Sequence, residues 1–364
     1  MTTPARVVVV PTENQPLEII DLEIPDPGPF QVVIKQYASG ICHSQLHQMH
    51  APRQRPVILG HESTGIVIQT GSDVSHVSEG DTVMVTWVPR DARNASRAPE
   101  AASLLLPDGN TAISQNVFTW GDHTIADEQY VVKVTPDIEK HVTSIIGCAV
   151  MTGAGAVENT ALVKLGDSVA IFGAGGVGLS AVVAAKKNGA EPIIVVDLDD
   201  VKLEFAMRFG ATHTINAANV EPVQAIKELT RDDTRRNIAS MPVEGADFVF
   251  DCIGIKSTME QIVPAARSGH FGAEQGGTAV LVGVPTTSVE LNPGDILVNE
   301  KKFIGSIGGS CQPDRDFSKY LQWYDDGVLD LDSLVTKRYS IDQINEATTA
   351  LQAGEIAGRS IIVF

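Results

Sequence analysis

Residues 168–190 read SVAIFGAGGVGLSAVVAAKKNGA, and this stretch decides the fold of the chain. The apolar run at its start predicts a buried strand, and the Ala/Val-rich run at its end predicts a helix. The turn between them follows the pattern Gly-x-Gly-x-x-Gly, in which glycine lets the backbone turn tightly and approach a pyrophosphate closely. A tight glycine turn without a ligand is the alternative, because such turns are common. We predict a dinucleotide site that includes Gly173, Gly175, Gly176, Val177 and Gly178.

The next predicted strand along the chain ends in an acidic residue. Asp197 follows the apolar run PIIVV and lies 19 residues after Gly178. A carboxylate at this point accepts hydrogen bonds from the adenosine ribose and repels a 2′-phosphate. The spacing therefore predicts NAD rather than NADP.

The rhythm of apolar runs divides the chain into three regions. Residues 1–149 hold short apolar runs separated by Gly and Pro, which predict a largely β domain. Residues 150–307 alternate strand and helix patterns, which predict a parallel, doubly wound sheet. Residues 308–364 hold two predicted helices and a final strand, RSIIVF. The polar, Ala-rich stretch at 90–117 favours neither helix nor strand, so we leave it unassigned as a surface excursion.

Composition limits the compartment and the partners of the protein. At about 150 residues per domain, a chain of 364 residues holds two or three domains. Its formal net charge of −18 repels phosphate backbones and anionic lipid, so we expect no nucleic acid and no membrane as partner. The four cysteines are too far apart for a disulfide framework, and the N-terminus lacks a signal-peptide pattern. These features predict a cytoplasmic protein.

Two cysteines and a histidine are candidate metal ligands. Cys42 stands in SGICHSQLH, His61 in ILGHESTG and Cys148 in IIGCAVMTGAG. A catalytic zinc takes three protein ligands and leaves one position for water or substrate. A lone buried cysteine is more often a small apolar side chain, and these separations are not those of a zinc finger. Spacing alone does not join the three residues.

These fragments belong to a longer series of motifs. GxCHSxxH, GHExxGxV, GDxV, GCxxxTGxGA, GxGGVG, VDxD and the terminal GRSIIVF occur in this order across essentially the whole chain. The series resembles the zinc-dependent alcohol dehydrogenases of the medium-chain dehydrogenase/reductase superfamily. The resemblance implies an α/β protein with a GroES-like, β-rich catalytic domain at residues 1–149 and 308–364. A Rossmann NAD-binding domain at residues 150–307 completes the implied fold, with the active site in the cleft between the two.

The resemblance also implies the metal site and the reaction. Cys42, His61 and Cys148 would hold one catalytic zinc, with Glu62 behind it as an occasional alternative ligand. Hydride would pass reversibly from a zinc-bound alkoxide to NAD, giving an aldehyde or a ketone. Ser44 and His47 would relay the hydroxyl proton to solvent.

Further residues follow from the same resemblance. His43 and Arg359 would face the pyrophosphate, Thr152 would pack against the nicotinamide and Lys202 would lie near the adenosine ribose. The backbone of Val282 and Val284 would contact the carboxamide, and Trp87 would line the pocket of a small alcohol or aldehyde substrate. The resemblance implies a homodimer or a homotetramer.

The sequence departs from the family pattern in two places. Many relatives hold a structural zinc with four closely spaced cysteines after the GDxV strand, whereas residues 80–103 here contain none. We therefore predict one zinc per subunit, and a loop that is either ordered by other contacts or mobile.

Gln45 is the second departure, because relatives usually have an aspartate there that hydrogen-bonds the ligating histidine. Gln45 can accept the same hydrogen bond without bringing a charge, which would leave zinc more Lewis-acidic and less tightly held. On that hypothesis Gln45→Asp tightens zinc retention.

Three alternatives to an NAD-dependent alcohol dehydrogenase stay open. The first is a formaldehyde dehydrogenase that acts on a glutathione- or mycothiol-type thiol adduct, a member of the same family. The second is a zinc-free quinone or enoyl reductase, which the cysteines and the GHE histidine disfavour. The third is a non-catalytic dinucleotide-binding protein, which would have no need of the Ser44–His47 relay.

Overall fold

The computed structural model describes residues 2–11 and 15–364, and the chain divides into two compact units. Unit 1 comprises Met1–Ala149 and Gln312–Phe364, and unit 2 comprises Val150–Cys311. The second boundary follows Cys311, whereas the sequence placed it after residue 307. Hydrogen bonds tie the intervening turn to unit 2: Asn159 Nδ2 donates to Gly309 O at 3.2 Å, and the hydroxyls of Thr160 and Ser310 lie 2.7 Å apart.

Strands and helices follow each other in a mixed order. The strands are β1 (Thr3–Val10), β2 (Glu18–Ile24), β3 (Gln31–Ile41), β4 (Val57–Ile58), β5 (Glu62–Thr70), β6 (Thr82–Thr86), β7 (Ser103–Leu105), β8 (Thr111–Ile113), β9 (His123–Asp127), β10 (Val131–Lys133), β11 (Val169–Phe172), β12 (Ile193–Asp197), β13 (His213–Asn216), β14 (Asp232–Arg236), β15 (Pro242–Val243), β16 (Phe248–Asp251), β17 (Thr278–Leu281), β18 (Lys302–Gly305), β19 (Val335–Ser340) and β20 (Arg359–Val363). The α-helices are α1 (His43–His50), α2 (Ala149–Gly155), α3 (Gly176–Lys187), α4 (Asp200–Phe209), α5 (Pro222–Leu229), α6 (Lys256–Ala265), α7 (Pro293–Asn299), α8 (Pro313–Asp325), α9 (Leu331–Leu334) and α10 (Ile344–Gln352). A π-helical segment, Ala156–Ala161, follows α2.

Unit 1 is built mainly from β-strands, as the short apolar runs predicted. One sheet has the order β10-β6-β5-β3-β20-β19, with β9 also paired to β3, and a second has the order β2-β1-β4-β8-β7. The long strand β3 pairs antiparallel with β5, β9 and β20, so the C-terminal strand lies beside the strand that leads into α1. Apolar side chains from both ends of the chain fill one of its cores, among them Val8, Ile41, Trp120, Ile344 and Ile362.

The stretch at 90–117, left unassigned from the sequence, contains a short antiparallel hairpin. Strands β7 and β8 pair from Ser103 opposite Ile113 to Leu105 opposite Thr111. Leu104, Leu106 and Ala112 are buried in a core of unit 1. Each strand is only three residues long, so its alternation is too brief to predict a strand.

Unit 2 contains a parallel sheet in the order β13-β12-β11-β16-β17-β18. This is the doubly wound order in which the order of strand addition reverses between the first and fourth strands, here the parallel neighbours β11 and β16. Ligands of such sheets bind outside the carboxyl ends of the strands at that reversal. The predicted α/β fold class is confirmed, and the glycine turn lies at this edge, directly after β11. No helix of residues 2–11 and 15–364 has both the length and the apolar character needed to cross a bilayer.

Candidate active site

The three sequence-predicted metal ligands lie together in unit 1. Cys42 stands between β3 and α1, His61 directly precedes β5, and Cys148 follows a 3₁₀ turn, Val142–Gly147. The sulfur atoms of Cys42 and Cys148 are 3.9 Å apart, and His61 Nε2 is 3.2 Å from the Cys148 sulfur. All three donor atoms lie within 4.8 Å of one another. Three segments separated by up to 106 residues therefore present their donor atoms to one point.

This geometry fits a tetrahedral zinc ion. With Zn–S near 2.3 Å and Zn–N near 2.0–2.1 Å, tetrahedral angles put two sulfur ligands about 3.8 Å apart and a sulfur and a nitrogen about 3.5 Å apart. The observed separations of 3.9 Å and 3.2 Å are within a few tenths of an ångström of these values. Thiolate and imidazole are also the donors that zinc prefers. Within the described residues, these three form the group of histidine, cysteine and acidic side chains that could hold a metal ion.

The surroundings of Cys42 favour its thiolate form. A hydrogen bond from the Cys148 thiol lowers the pKa of Cys42, and the positive charge of Arg359 adds to this effect against the opposing effect of burial. Because Cys148 donates that hydrogen bond and is itself buried, its own pKa is raised. Cys42 also precedes the N-terminus of α1, where the helix dipole stabilises negative charge. The Cys42 thiolate is thus favoured before a metal ion binds, and a bound metal ion would displace the proton of Cys148.

Glu62 and Arg359 form a fully buried ion pair behind the metal ligands. Arg359 Nη2 donates to Glu62 Oε1, and the Ala149 backbone N–H donates to Glu62 Oε2 at 3.2 Å. Burial raises the pKa of Glu62, and the Arg359 charge opposes that shift. A side chain at Gly40 would overlap this carboxylate, which explains the glycine two residues before Cys42. Arg359 therefore has Glu62 as its partner, and its contact with a pyrophosphate stays a prediction.

The two relay residues lie on α1, which begins directly after Cys42. Ser44 Oγ donates to the Cys42 sulfur at 3.3 Å, so this hydroxyl lies beside a metal ligand. His47 lies one turn further along the helix, with its ring edge-on to that of His43 and the ring centres 5.8 Å apart. His43 is exposed and His47 is half-buried. The structure thus places the predicted relay and the predicted pyrophosphate residue on one short helix.

Trp87, the predicted pocket aromatic, lies against the metal site. Its ring is edge-on to the ring of His61, with the ring centres 6.4 Å apart. The side chain is half-buried. Its indole N–H is buried without a hydrogen-bond partner among the described residues. A large apolar side chain therefore lies next to the metal ligands, and its place in a substrate pocket stays a prediction.

Gln45 differs from the sequence-based expectation. Its side-chain oxygen accepts the backbone N–H of Cys42 at 2.8 Å, and its own backbone N–H donates to Cys42 O at 3.0 Å. This contact closes the first turn of α1 around the metal ligand, as a glutamine three residues after a helix N-cap commonly does. The oxygen expected to bond the ligating histidine thus has another partner, because the longer glutamine side chain reaches back to Cys42.

The remaining predicted cofactor residues lie in unit 2, most of them at the carboxyl edge of its sheet. Gly173 has φ +100°, and a side chain at Gly178 would overlap the Gly173 carbonyl oxygen, so both positions require glycine. Gly175 faces open space and, as the N-cap residue of α3, has no side chain to accept the first-turn N–H groups of the helix. An open cradle at an uncapped helix N-terminus fits a pyrophosphate. Gly176 and Val177 begin α3.

Asp197 closes the same edge at the end of β12. Its carboxylate accepts the N–H of Ala174 at 2.8 Å, so it lies directly beside the glycine turn. Lys202 is half-buried on α4, and Val282 and Val284 follow β17 with Val284 exposed. Thr152 is buried on α2, and its hydroxyl has no hydrogen-bond partner among the described residues. These positions suit contacts with a bound dinucleotide, and the individual contacts stay predictions.

One residue of this edge escaped the sequence analysis. Asp251, at the end of β16, is fully buried and accepts several hydrogen bonds from the loop that follows it. The sequence could have indicated this residue, since Asp251 directly follows the apolar run FVF and so stands at the strand end where ligands bind. By contrast, the pairing of Glu62 with Arg359 joins residues 297 positions apart, and no local pattern predicts it.

A β-rich unit that carries a Cys–His–Cys cluster, joined to a doubly wound parallel sheet, defines a two-unit dehydrogenase of the zinc-binding class. Family profiles agree: "Alcohol dehydrogenase GroES-like domain" matches residues 28–137, and "Zinc-binding dehydrogenase" matches residues 176–326. The class-3 alcohol dehydrogenase of Cereibacter sphaeroides is 31% identical, and the S-(hydroxymethyl)glutathione dehydrogenase of Paracoccus denitrificans is 30% identical; each match covers 99% of both chains.

Solved structures show the same similarity. The benzyl alcohol dehydrogenase of Acinetobacter calcoaceticus is 29% identical with a TM-score of 0.84, covering 100% of this chain and 99% of that one. A zinc-binding alcohol dehydrogenase domain protein of Burkholderia ambifaria is 27% identical with a TM-score of 0.88 over the whole of both chains. The chain belongs to the zinc-dependent alcohol dehydrogenase family of medium-chain dehydrogenases/reductases, and it is an oxidoreductase of that family.

Proposed function

We propose that the protein reversibly oxidises an alcohol to an aldehyde or a ketone, with NAD as the hydride acceptor and one zinc ion held by Cys42, His61 and Cys148. The convergence of these three donor atoms within 4.8 Å, in a chain of this family, is the observation that carries the proposal. Three protein ligands suit a catalytic zinc, which keeps a position open for the substrate. When bound, zinc supplies Lewis acidity that lowers the pKa of the alcohol hydroxyl, and NAD accepts the hydride.

Ser44 and His47 would carry the hydroxyl proton. The Ser44 hydroxyl lies 3.3 Å from the Cys42 sulfur, next to where a substrate hydroxyl would reach the metal. It can accept a proton from the substrate while it donates its own. His47 is half-buried on the same helix, and its imidazole ring can both accept and donate a proton. We propose that the proton passes from Ser44 towards His47 and then to solvent.

The edge of unit 2 supports NAD as the cofactor. The glycine turn would hold the pyrophosphate, and the Asp197 carboxylate beside it would accept the ribose hydroxyls and disfavour a 2′-phosphate. We therefore propose that the protein uses NAD in preference to NADP. A comparison of kcat/KM for the two cofactors tests this preference, and a higher value with NADP would overturn it.

The relatives favour a second candidate substrate. Two of them are named as a class-3 alcohol dehydrogenase and an S-(hydroxymethyl)glutathione dehydrogenase. A hydroxymethyl thioether presents the same primary hydroxyl to the metal as a simple alcohol does, so the site described here suits both. Formaldehyde oxidation that requires a low-molecular-weight thiol would identify this substrate class. Oxidation of simple primary alcohols with no thiol dependence would favour the first candidate, a simple alcohol.

The first experiment is elemental analysis of zinc on freshly purified protein, together with NADH formation from a panel of alcohols. We expect about one zinc per subunit, because one set of three ligands meets the requirement of a catalytic site. About two zinc ions per subunit would contradict the prediction that structural zinc is absent. Protein without zinc that does not regain it on dialysis against zinc would overturn the proposed function.

A further inference from the structure

We propose that Asp251 is the positioning residue of the dinucleotide site, because its buried carboxylate fixes the loop after β16 and its backbone oxygen holds the loop after β17, both at the carboxyl edge of the unit 2 sheet. This inference rests on the proposed use of a dinucleotide. Asp251 ends β16. This strand lies beside β11, at the point where the order of strand addition reverses. It is fully buried, so its charge is compensated by nearby groups instead of by water.

The Asp251 carboxylate accepts hydrogen bonds from the loop that follows its own strand. Its Oδ1 accepts the N–H of Ile253 at 2.9 Å and the hydroxyl of Thr258 at 3.0 Å. The N–H of Gly254 lies 3.2 Å from both carboxylate oxygens. Thr258 belongs to α6, so one side chain joins the strand end, the loop and the next helix. Without it, the buried N–H of Gly254 and the part-buried N–H of Ile253 would lose their acceptor.

The same residue holds the loop that follows β17. The N–H groups of Val282 and Gly283 donate to the Asp251 backbone oxygen at 3.0 Å and 2.8 Å. This brings the two loops so close that a side chain at Gly283 would overlap the backbone of Ile253 and Gly254. Val282 and Val284 are the residues whose backbone we predict to contact the nicotinamide carboxamide. Their position therefore depends on a loop that the Asp251 carboxylate fixes.

The third connection runs to the glycine turn. The N–H of Cys252 donates to Phe172 O at 2.9 Å, which ties the Asp251 loop to the end of β11. A Cβ at Gly173 would lie 2.7 Å from Ile253 Cγ1, so the Ile253 side chain lies directly against the first glycine of the turn. The segment that Asp251 holds, residues 252–254, thus contacts the glycine turn and also the loop after β17.

Two exposed apolar side chains on these loops offer a surface on which a bound ring could pack. Ile253 keeps 39% of its surface exposed and Val284 keeps 51%, although both stand on tightly held loops. Flat rings pack favourably on such surfaces. The proposal therefore assigns to Asp251 an effect on cofactor affinity in addition to any effect on folding.

The test compares two aspartates at opposite ends of the same strand. Asp247 directly precedes β16 and accepts hydrogen bonds from Ser168 and Arg267 at the edge away from the glycine turn. We expect Asp251→Ala to raise the Kd for NADH about 10-fold, the order expected when hydrogen bonds that hold a binding conformation are lost. Asp247→Ala should change that Kd less than about twofold, even if both variants lower the melting temperature equally. Asp251→Asn, which keeps one acceptor oxygen, should recover part of the affinity.

Hydrogen exchange gives a readout that does not depend on the cofactor. The amides of Ile253 and Gly254 should exchange faster in Asp251→Ala than in wild-type protein, and Asp247→Ala should leave them unchanged. If Asp251→Ala does not fold, Thr258→Val removes one of the carboxylate's donors and should raise the Kd a few-fold. Wild-type affinity in Asp251→Ala, or equal loss of affinity in Asp247→Ala, would overturn the proposal. Wild-type protein that binds neither NADH nor NADPH would instead refute the proposed function.

Discussion

Gln45 fixes the backbone of Cys42, one of the three predicted metal ligands. Its side chain is fully buried and accepts the Cys42 N–H, while Ser44, one residue earlier, donates to the Cys42 sulfur. Cys42 is thus fixed at its backbone by one neighbour and at its sulfur by another. Groups that hold a ligand in this way commonly contribute 10–100-fold to metal affinity.

We therefore expect Gln45→Ala to lower zinc affinity about 10-fold, because the Cys42 N–H loses its acceptor and the first turn of α1 loosens. The measurement is the rate of zinc release to a chromogenic chelator. Gln48→Ala on the same helix is the matched control, since Gln48 bonds Gln115 at an exposed position. Equal release rates for the two variants would show that the Gln45 contact does not hold the ligand.

At this scale the sequence predicted residue types better than residue partners. Cys42, His61 and Cys148 were joined by resemblance, and the structure brings their donor atoms together. The contacts of Gln45 and Arg359 could not be predicted, because they depend on side-chain reach and on a pairing across 297 residues. Short sequence motifs predict which residues a site contains. The hydrogen bonds and ion pairs around those residues depend on the complete fold.

Among the structural elements, the segment at 90–117 shows how the chain orders a loop that lacks the family's zinc-binding cysteines. Arg97 forms two hydrogen bonds with the buried Asp127 carboxylate, at 2.6 Å and 3.1 Å, and its guanidinium lies 4.0 Å from the ring centre of Phe30. The Glu100 N–H also donates to Asp127. A bidentate ion pair and a cation–π contact thus tie the loop to the end of β9.

Removing this ion pair should destabilise the loop. We expect Arg97→Ala to cost about 2 kcal/mol, because Asp127 stays buried but keeps backbone donors at Glu100 and Gln129. The measurement is urea unfolding of the full-length protein, monitored by near-UV circular dichroism. Limited proteolysis across 90–117 reports on the loop itself. Arg93→Ala, an exposed arginine of the same segment, is the control. Wild-type stability and proteolysis in Arg97→Ala would mean that the hairpin alone orders the loop.

The elements that the sequence predicted correctly are those with long apolar runs. The strands in ARVVVV, SVAIF and PIIVV are present as parts of β1, β11 and β12, each with several consecutive buried residues. The hairpin β7–β8 was missed, since each strand alternates over only three residues and buries one. The strands that were predicted bury several consecutive residues, whereas the strands that were missed bury one residue each.

Across the whole molecule, the two parts of the proposed chemistry reside in separate units. All three metal ligands, Ser44 and His47 lie in unit 1, whereas the glycine turn, Asp197 and Asp251 lie in unit 2. Each unit has its own buried apolar cores. The metal ligands and the glycine turn should therefore each keep their structure when the other is disabled, in contrast to a protein in which one apolar core supports both.

Reciprocal variants test this separation. Cys42→Ala should abolish zinc binding and oxidation of alcohols, yet change the Kd for ADP-ribose less than about threefold, because most of the fragment's expected contacts, among them the glycine turn, Asp197 and Lys202, lie in unit 2. Asp197→Ala should weaken ADP-ribose binding about 10-fold by removing the ribose acceptor, and keep the full zinc content. Calorimetry with ADP-ribose and elemental analysis measure both properties on each variant. If Cys42→Ala also loses ADP-ribose binding, zinc supports the fold of both units, and chelation would then abolish cofactor binding together with activity.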